Sequence, residues 1–361
     1  MVDVTERSAI HADHSSPALR RSARPVLWWA ALGLLALAFQ AYVYTRWVSS
    51  DDFHSVPTGP DPVPNDIKIK AVVLQCVFAT NVVLATAWVV RGCVKRRKFT
   101  FDAKIFLGCI GMIWMDHAAN LVRPQMFMNS YYINRGSWDR FIPGWISRNP
   151  QKLPASIFVE FGAYFFLVVV IAAACNLLVR LQRRQPRLGF VGIVGCAWVC
   201  MAAFVFTIET LVVHRLGWNT HLGAPTATTL FAGQPYAEPL TEVVIWAGTL
   251  TALVVLRFQH VTAGTTVVER GLDRVPTSAR WRTVISTLAV VGYATMAMAV
   301  YAFATAVAGI YGAQVSDELP SYVSNGICGR AAGVACPGPD VPVLLPHTPV
   351  TAANLPRASG R

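Results

Sequence analysis

Four carboxylic acids interrupt long apolar stretches of this 361-residue sequence: Asp116, Glu160, Glu209 and Glu242. An acid at mid-membrane costs roughly 2.5–3.5 kcal/mol and less near the interface, so one acid at a helix mouth can simply be hydrated. Four acids from four segments, with no Lys or Arg within those segments beyond Lys104 at the far end of one, point instead to a shared polar cavity. Carboxyls gathered away from water can keep one member protonated while another is ionised, which suits general acid–base catalysis. His117 and His214 fall at the same level and could shuttle protons, although a hydrogen-bonded interfacial histidine is the commoner role. No His-x3-His or paired-Cys spacing accompanies them, and no Gly-rich phosphate loop occurs. The sequence therefore leads to the expectation of no metal and no cofactor.

The stretch around Asp116 is the richest in polar and aromatic groups. It runs from Trp114 through His117 and Asn120, then through a loop carrying Asn129, Tyr131, Asn134, Trp138 and Trp145. A second loop, 214–238, repeats the composition with Trp218 and Tyr236. Trp and Tyr at a membrane surface are usually belt residues. Here they could instead form an apolar lid over a bulky, lipophilic substrate, with the asparagines bonding its oxygens. Trp114, His117, Asn120, Asn129, Tyr131, Asn134, Trp138, Trp145 and Tyr236 are thus candidate substrate-binding residues.

Long apolar segments must position these groups. The chain is 54% hydrophobic and 14% charged, against about 25% charged in an ordinary soluble domain. Apolar runs near 26–45, 71–90, 102–122, 155–179, 189–213, 239–256 and 283–311 predict an all-α, polytopic membrane bundle of about seven helices, with structured loops over a cavity on one face. The domain occupies 25–311, between a polar tail over 1–24 and a Pro- and Gly-rich tail over 312–361 expected to be poorly ordered. With segments alternating in direction, and a rise of about 1.5 Å per residue, the four acids fall within roughly 10 Å of one membrane boundary. Asp102, beside Lys104 at the opposite end, reads as an interfacial charge.

The net charge of +12 reflects loops rather than a nucleic-acid surface, because the basic residues form no aromatic-interleaved patch. Of the 31 Lys and Arg, 19 fall in 1–24, 91–104, 180–187 and 257–282, which places those segments and the N-terminus in the cytoplasm and the C-terminus outside. The membrane would be the cell membrane. Five of the eight cysteines lie in apolar segments and read as small hydrophobes. Cys328 and Cys336 bracket a Gly-rich stretch and could pair if that tail is outside. No repeat suggests an inverted-repeat transporter.

In order and spacing, Trp114, Asp116 and Asn120 resemble the AveC-type spirocyclases, polytopic membrane proteins of avermectin- and milbemycin-class macrolide biosynthesis. The resemblance continues through Asn129, Asn134, Gly136-Ser137-Trp138 and Pro143-Gly144-Trp145. It extends to Glu209, Arg215, Gly217, Gly233, Tyr236, Pro239 and Glu242, and to Val268-Glu269-Arg270-Gly271, covering about 26–310. The chain departs from the family pattern at Leu153-Pro154-Ala155 and Phe204-Val205-Phe206, where the family carries further acids. The resemblance implies cofactor-free spiroketal formation from a dihydroxy-ketone polyketide, with dehydration of a neighbouring alcohol in some members. It implies Asp116 and Glu209 as the acid–base pair, with Glu242 and Glu160 as secondary catalytic groups. The partners implied are a lipophilic small molecule and membrane lipid. The alternatives are another membrane-embedded cyclase, initiated by protonation of a terpenoid, or a non-catalytic transporter or scaffold for a secondary metabolite.

Overall fold

The computed structural model describes residues 24–345, 349–351 and 354–356. Apart from Arg24, the tail expected over 1–24 lies outside the described residues. The chain is an all-α bundle. Its long helices are α1 (Arg24–Val48), α2 (Asn65–Arg96), α3 (Phe101–Met112), α4 (Ile157–Arg184), α5 (Phe190–Ile208), α6 (Ala247–Ala263) and α7 (Ala279–Ala308). Six are long and apolar enough, with their flanking turns, to cross a membrane, as expected of a multi-pass membrane protein.

The third expected span is the exception. It starts as α3, where the Thr100 hydroxyl caps by accepting from the Ala103 N–H at 3.2 Å, and continues as a 3-10 helix over Ile113–Asn120. Side chains reach into its backbone ladder where it changes. The Gln40 amide donates to the Ile110 carbonyl at 3.1 Å, and the Trp138 indole donates to the Trp114 carbonyl at 2.9 Å.

α1 and α7 cross with their backbones in contact, glycine against glycine. A Cβ added at Gly33 would lie 2.0 Å from the Leu288 carbonyl oxygen, and one at Gly292 would lie 2.2 Å from that of Trp29. At one end of the bundle, charged groups are paired. Arg257 meets Asp102 at 2.7 Å, and Lys104 meets Glu269 at 2.9 Å. Burial opposes charge on Glu269, but the Ser286 hydroxyl and the Lys104 ammonium hold its carboxyl below the usual range.

The other end carries a layer of loops stitched by three short antiparallel ribbons. β1 (Phe127–Met128) pairs with β4 (Asn219–Thr220), β2 (Asn134–Gly136) with β3 (Pro154–Ser156), and β5 (Thr229–Leu230) with β6 (Glu238–Pro239). The β1–β4 ribbon joins the two long loops to each other.

The described part of the tail after Gly312, expected to be poorly ordered, instead packs on this layer. Val315, Cys328 and Cys336 are buried with Phe127. The Arg123 guanidinium donates to the carbonyls of Gly338 and Val341, and Asn325 donates to that of Met128. Cys328 and Cys336 form a disulfide. Satisfied backbone groups and a covalent link compensate for the weak propensity of a Pro- and Gly-rich segment. In protein kept oxidised, both thiols should resist alkylation until a reductant is added. Mass spectrometry showing full labelling beforehand would contradict an oxidising compartment for this tail.

Candidate active site

The four acids reach one cavity of about 340 Å³ from four different helical segments. In three cases the helix departs from α geometry where the acid sits. Asp116 lies in the 3-10 helix after α3. Glu209 opens a π-helical turn, Glu209–Val213, in which the His214 N–H bonds back five residues to the Glu209 carbonyl at 2.9 Å. Glu242 lies in a π-helical stretch, Thr241–Trp246, that leads into α6, and the Trp198 indole occupies its Val244 carbonyl at 3.0 Å. Such local rewinding re-aims side chains and is frequent at functional sites. Glu160 is on the first turns of α4 and fully buried.

Two tyrosines hold two of the acids. Tyr164, one turn beyond Glu160, donates to Asp116 at 2.5 Å, and Tyr301 on α7 donates to Glu242. The Trp246 ring lies 6.0 Å from Tyr164 and 5.4 Å from Tyr301, closing an aromatic wall. Among the described residues, no Lys or Arg ion pair reaches any of the four acids, in contrast to the paired end of the bundle. The rest of the lining is mostly apolar, including Phe78, Phe166, Phe204 and Trp218. Two lining valines, Val77 on α2 and Val212 after α5, remain exposed.

The expected substrate-binding residues do not line this cavity. Asn120 accepts from the N–H groups of Gln125 and Met126 and donates to the Met126 carbonyl, all at 2.8 Å. Asn129 spans the Gly217 carbonyl and the Tyr131 N–H. Asn134 accepts from Val56 and donates to the carbonyls of Ser130 and Tyr132. These amides clamp loop backbone. Trp138 is fully buried and stacked on His117, while Trp114 packs on Phe39. Tyr131 packs into a small core beneath the loops. Trp145 lies half-buried in the loop layer, and Tyr236 sits under the Arg215 guanidinium at 4.0 Å.

His117 stands behind Glu160 rather than on the cavity wall. Its Nδ1 lies 2.9 Å from the Ser137 hydroxyl and 3.1 Å from the buried Asp139, and its Nε2 lies 3.3 Å from Glu160. Asp116, His117 and Glu160 together place three ligand-type atoms within 4.8 Å of one another. The sequence discounted a metal because it looked for spacing within one element, whereas this set comes from two. Two carboxylates and an imidazole backed by Asp139 form a donor set that a divalent ion could use. The same contacts would equally suit an imidazole placed between the carboxyls of Asp139 and Glu160 to pass a proton.

Residues without a role in the sequence reading also reach the cavity: Tyr164, Tyr301, Trp246 and His221. Tyr164 could have been read from its four-residue spacing to Glu160 on one helix face. His221 could not, because it follows β4 in an irregular loop. Its Nε2 lies 3.8 Å from Glu242, and its ring meets that of His214 at 5.1 Å. The His214 Nδ1 lies 3.2 Å from Glu238, and Glu238 accepts from the Thr210 hydroxyl at 3.0 Å. Burial pushes His214 down to about 4, and burial with the neighbouring His214 holds His221 well below the usual imidazole range. Burial, reinforced by Glu242 and Glu209 and opposed by the Thr210 hydroxyl, pushes Glu238 up to about 10. At neutral pH this trio is therefore uncharged.

Comparison with curated proteins and with solved structures finds no match for the chain. A family model described as Spirocyclase AveC-like matches residues 96–326, which hold Asp116, Glu160, Glu209 and Glu242. That match covers more than half of the chain, and the chain belongs to the AveC-like spirocyclase family.

Proposed function

We propose that this protein closes a spiroketal from a dihydroxy-ketone polyketide by acid–base catalysis without a cofactor. The observation that supports the reading is the meeting of four carboxyls, with no Lys or Arg ion pair among the described residues, in a mostly apolar cavity. One substrate hydroxyl adds to the ketone carbon and gives its proton to a carboxylate while an acid protonates the ketone oxygen, so a hemiketal forms with no net change in protons. A second protonation lets the hemiketal hydroxyl depart as water, leaving an oxocarbenium ion. The other hydroxyl attacks that carbon and gives its proton to a carboxylate, so the turnover releases one water and no net proton.

Asp116 and Glu209 act as the acid–base pair, and Glu242 and Glu160 are secondary groups. An ionised carboxylate stabilises the oxocarbenium electrostatically in a site of low dielectric. The apolar walls fold the two hydroxyl arms toward the ketone and so set the spiro configuration. The Lys and Arg distribution and the Cys328–Cys336 disulfide support an outer-face position for the loop layer.

The test is to supply a dihydroxy-ketone polyketide to membranes containing the protein and identify the product. A spiroketal lighter by one water is expected, and loss of a second water would reveal alcohol dehydration. Unchanged substrate, or a product without a spiro centre, would overturn the reading. A chelator arm belongs in the same assay, with an unchanged rate expected. A loss restored only by an added divalent ion would assign Asp116, His117 and Glu160 to a metal instead.

A further inference from the structure

Two cavities meet at a pair of imidazoles. His221 lines the deep cavity that holds the four acids, whereas His214 lines a second cavity of about 240 Å³ within the loop layer. The second cavity is walled by Phe127, Pro235 and Tyr322 and shares Trp218 and Asn219 with the first. The two rings touch edge to face where the cavities adjoin. Beyond His214 stands Glu238, and beyond His221 stands Glu242.

We infer that Glu238, His214 and His221 form a proton relay joining Glu242 to the loop-layer cavity and the water above it. The relay rests on the acid–base reading of the deep cavity. Both nitrogens of His214, Nδ1 of His221 and Oε1 of Glu238 are buried without a hydrogen-bond partner. Buried polar atoms are normally satisfied, so a cluster of four that is not marks a place where ordered water or a moving proton completes the network. The 3.8 Å gap between His221 and Glu242 is longer than a hydrogen bond and is bridged by one water or a small ring rotation.

A neutral imidazole can take a proton on one nitrogen while releasing one from the other. The groups that face the relay are Glu242 and His214 at His221, Glu238 at His214, and Glu209, Glu242 and Thr210 at Glu238. In each turnover an acid gives a proton to the departing hydroxyl, and a carboxylate takes one from the attacking hydroxyl. The relay refills the first through Glu242 and drains the second by the same route, with no net change.

The test follows the infrared carboxyl signal of Glu242, identified as the band lost in Glu242→Gln, after a rapid pH jump on the purified full-length protein. Replacing His221 with Phe is expected to slow that response at least about tenfold. His221→Asn, which keeps a polar side chain, guards against misfolding and is expected to be slowed as well. In the product assay, kcat should fall with an altered pH profile and an unchanged KM, and added imidazole should restore part of it. An unaltered response in both variants would overturn the relay, as would a Glu242 signal that never responds to pH. Failure of the parent reading is separate, because it shows as no spiroketal from the unmodified protein whatever the infrared result.

Discussion

Membranes carrying Asp116→Asn or Glu209→Gln are expected to form spiroketal about 100- to 10,000-fold more slowly than those carrying the unmodified protein. Both changes keep size and shape and remove the ability to trade a proton. An asparagine at 116 still offers an oxygen to the Tyr164 hydroxyl, so the aromatic wall keeps its anchor. A glutamine at 209 leaves the backbone bond that closes the π-helical turn untouched. Abundance in the membrane should therefore not change, and the loss should appear in the rate alone. The double variant should lose little more than the worse single variant, because residues that act as one unit are not additive. Full activity in both single variants would remove the acid–base assignment.

The second large effect concerns the scaffold. Gly33→Leu or Gly292→Leu should release α1 from α7 and abolish recovery of monodisperse protein in detergent. At both positions a side chain would meet backbone carbonyl oxygen, which has no rotamer with which to yield. Helices in lipid associate through such close approach of small residues. Forcing atoms into a filled contact costs on the order of 1–3 kcal/mol, and more where only backbone can move. Gly195→Leu is the control, because nothing lies within 4 Å of a Cβ there. Size-exclusion profiles after mild heating would separate the three. An intact, heat-resistant Gly33→Leu protein would show that the crossing is not a structural constraint.

The helical bundle and the common depth of the four acids were legible because both follow from apolar run length and a fixed rise per residue. Counting along each run brings Asp116, Glu160, Glu209 and Glu242 to one level before any packing is known. The roles of the asparagines were not legible. An amide suits a substrate hydroxyl and a loop carbonyl equally well, and only the folded loops show that Asn120, Asn129 and Asn134 serve backbone. The π-helical turns at Glu209 and Glu242 were hidden for another reason. They arise where side chains such as Trp198 engage carbonyls, and no periodicity in the sequence marks them. The tail after Gly312 misled because low propensity reports on an isolated chain, and this one is fastened by Arg123, Asn325 and a disulfide.

Val77 and Val212 line the acid-lined chamber from two apolar, membrane-length helical segments and are themselves exposed, a position that would open the chamber toward lipid. A reactant drawn past them comes from a two-dimensional phase of acyl chains, so its effective concentration is a mole fraction in the bilayer and not a molarity in the buffer. Adding empty vesicles at fixed reactant would then dilute it and raise the apparent KM in proportion to total lipid. Rates measured at different lipid loads become comparable only when expressed per unit of membrane surface.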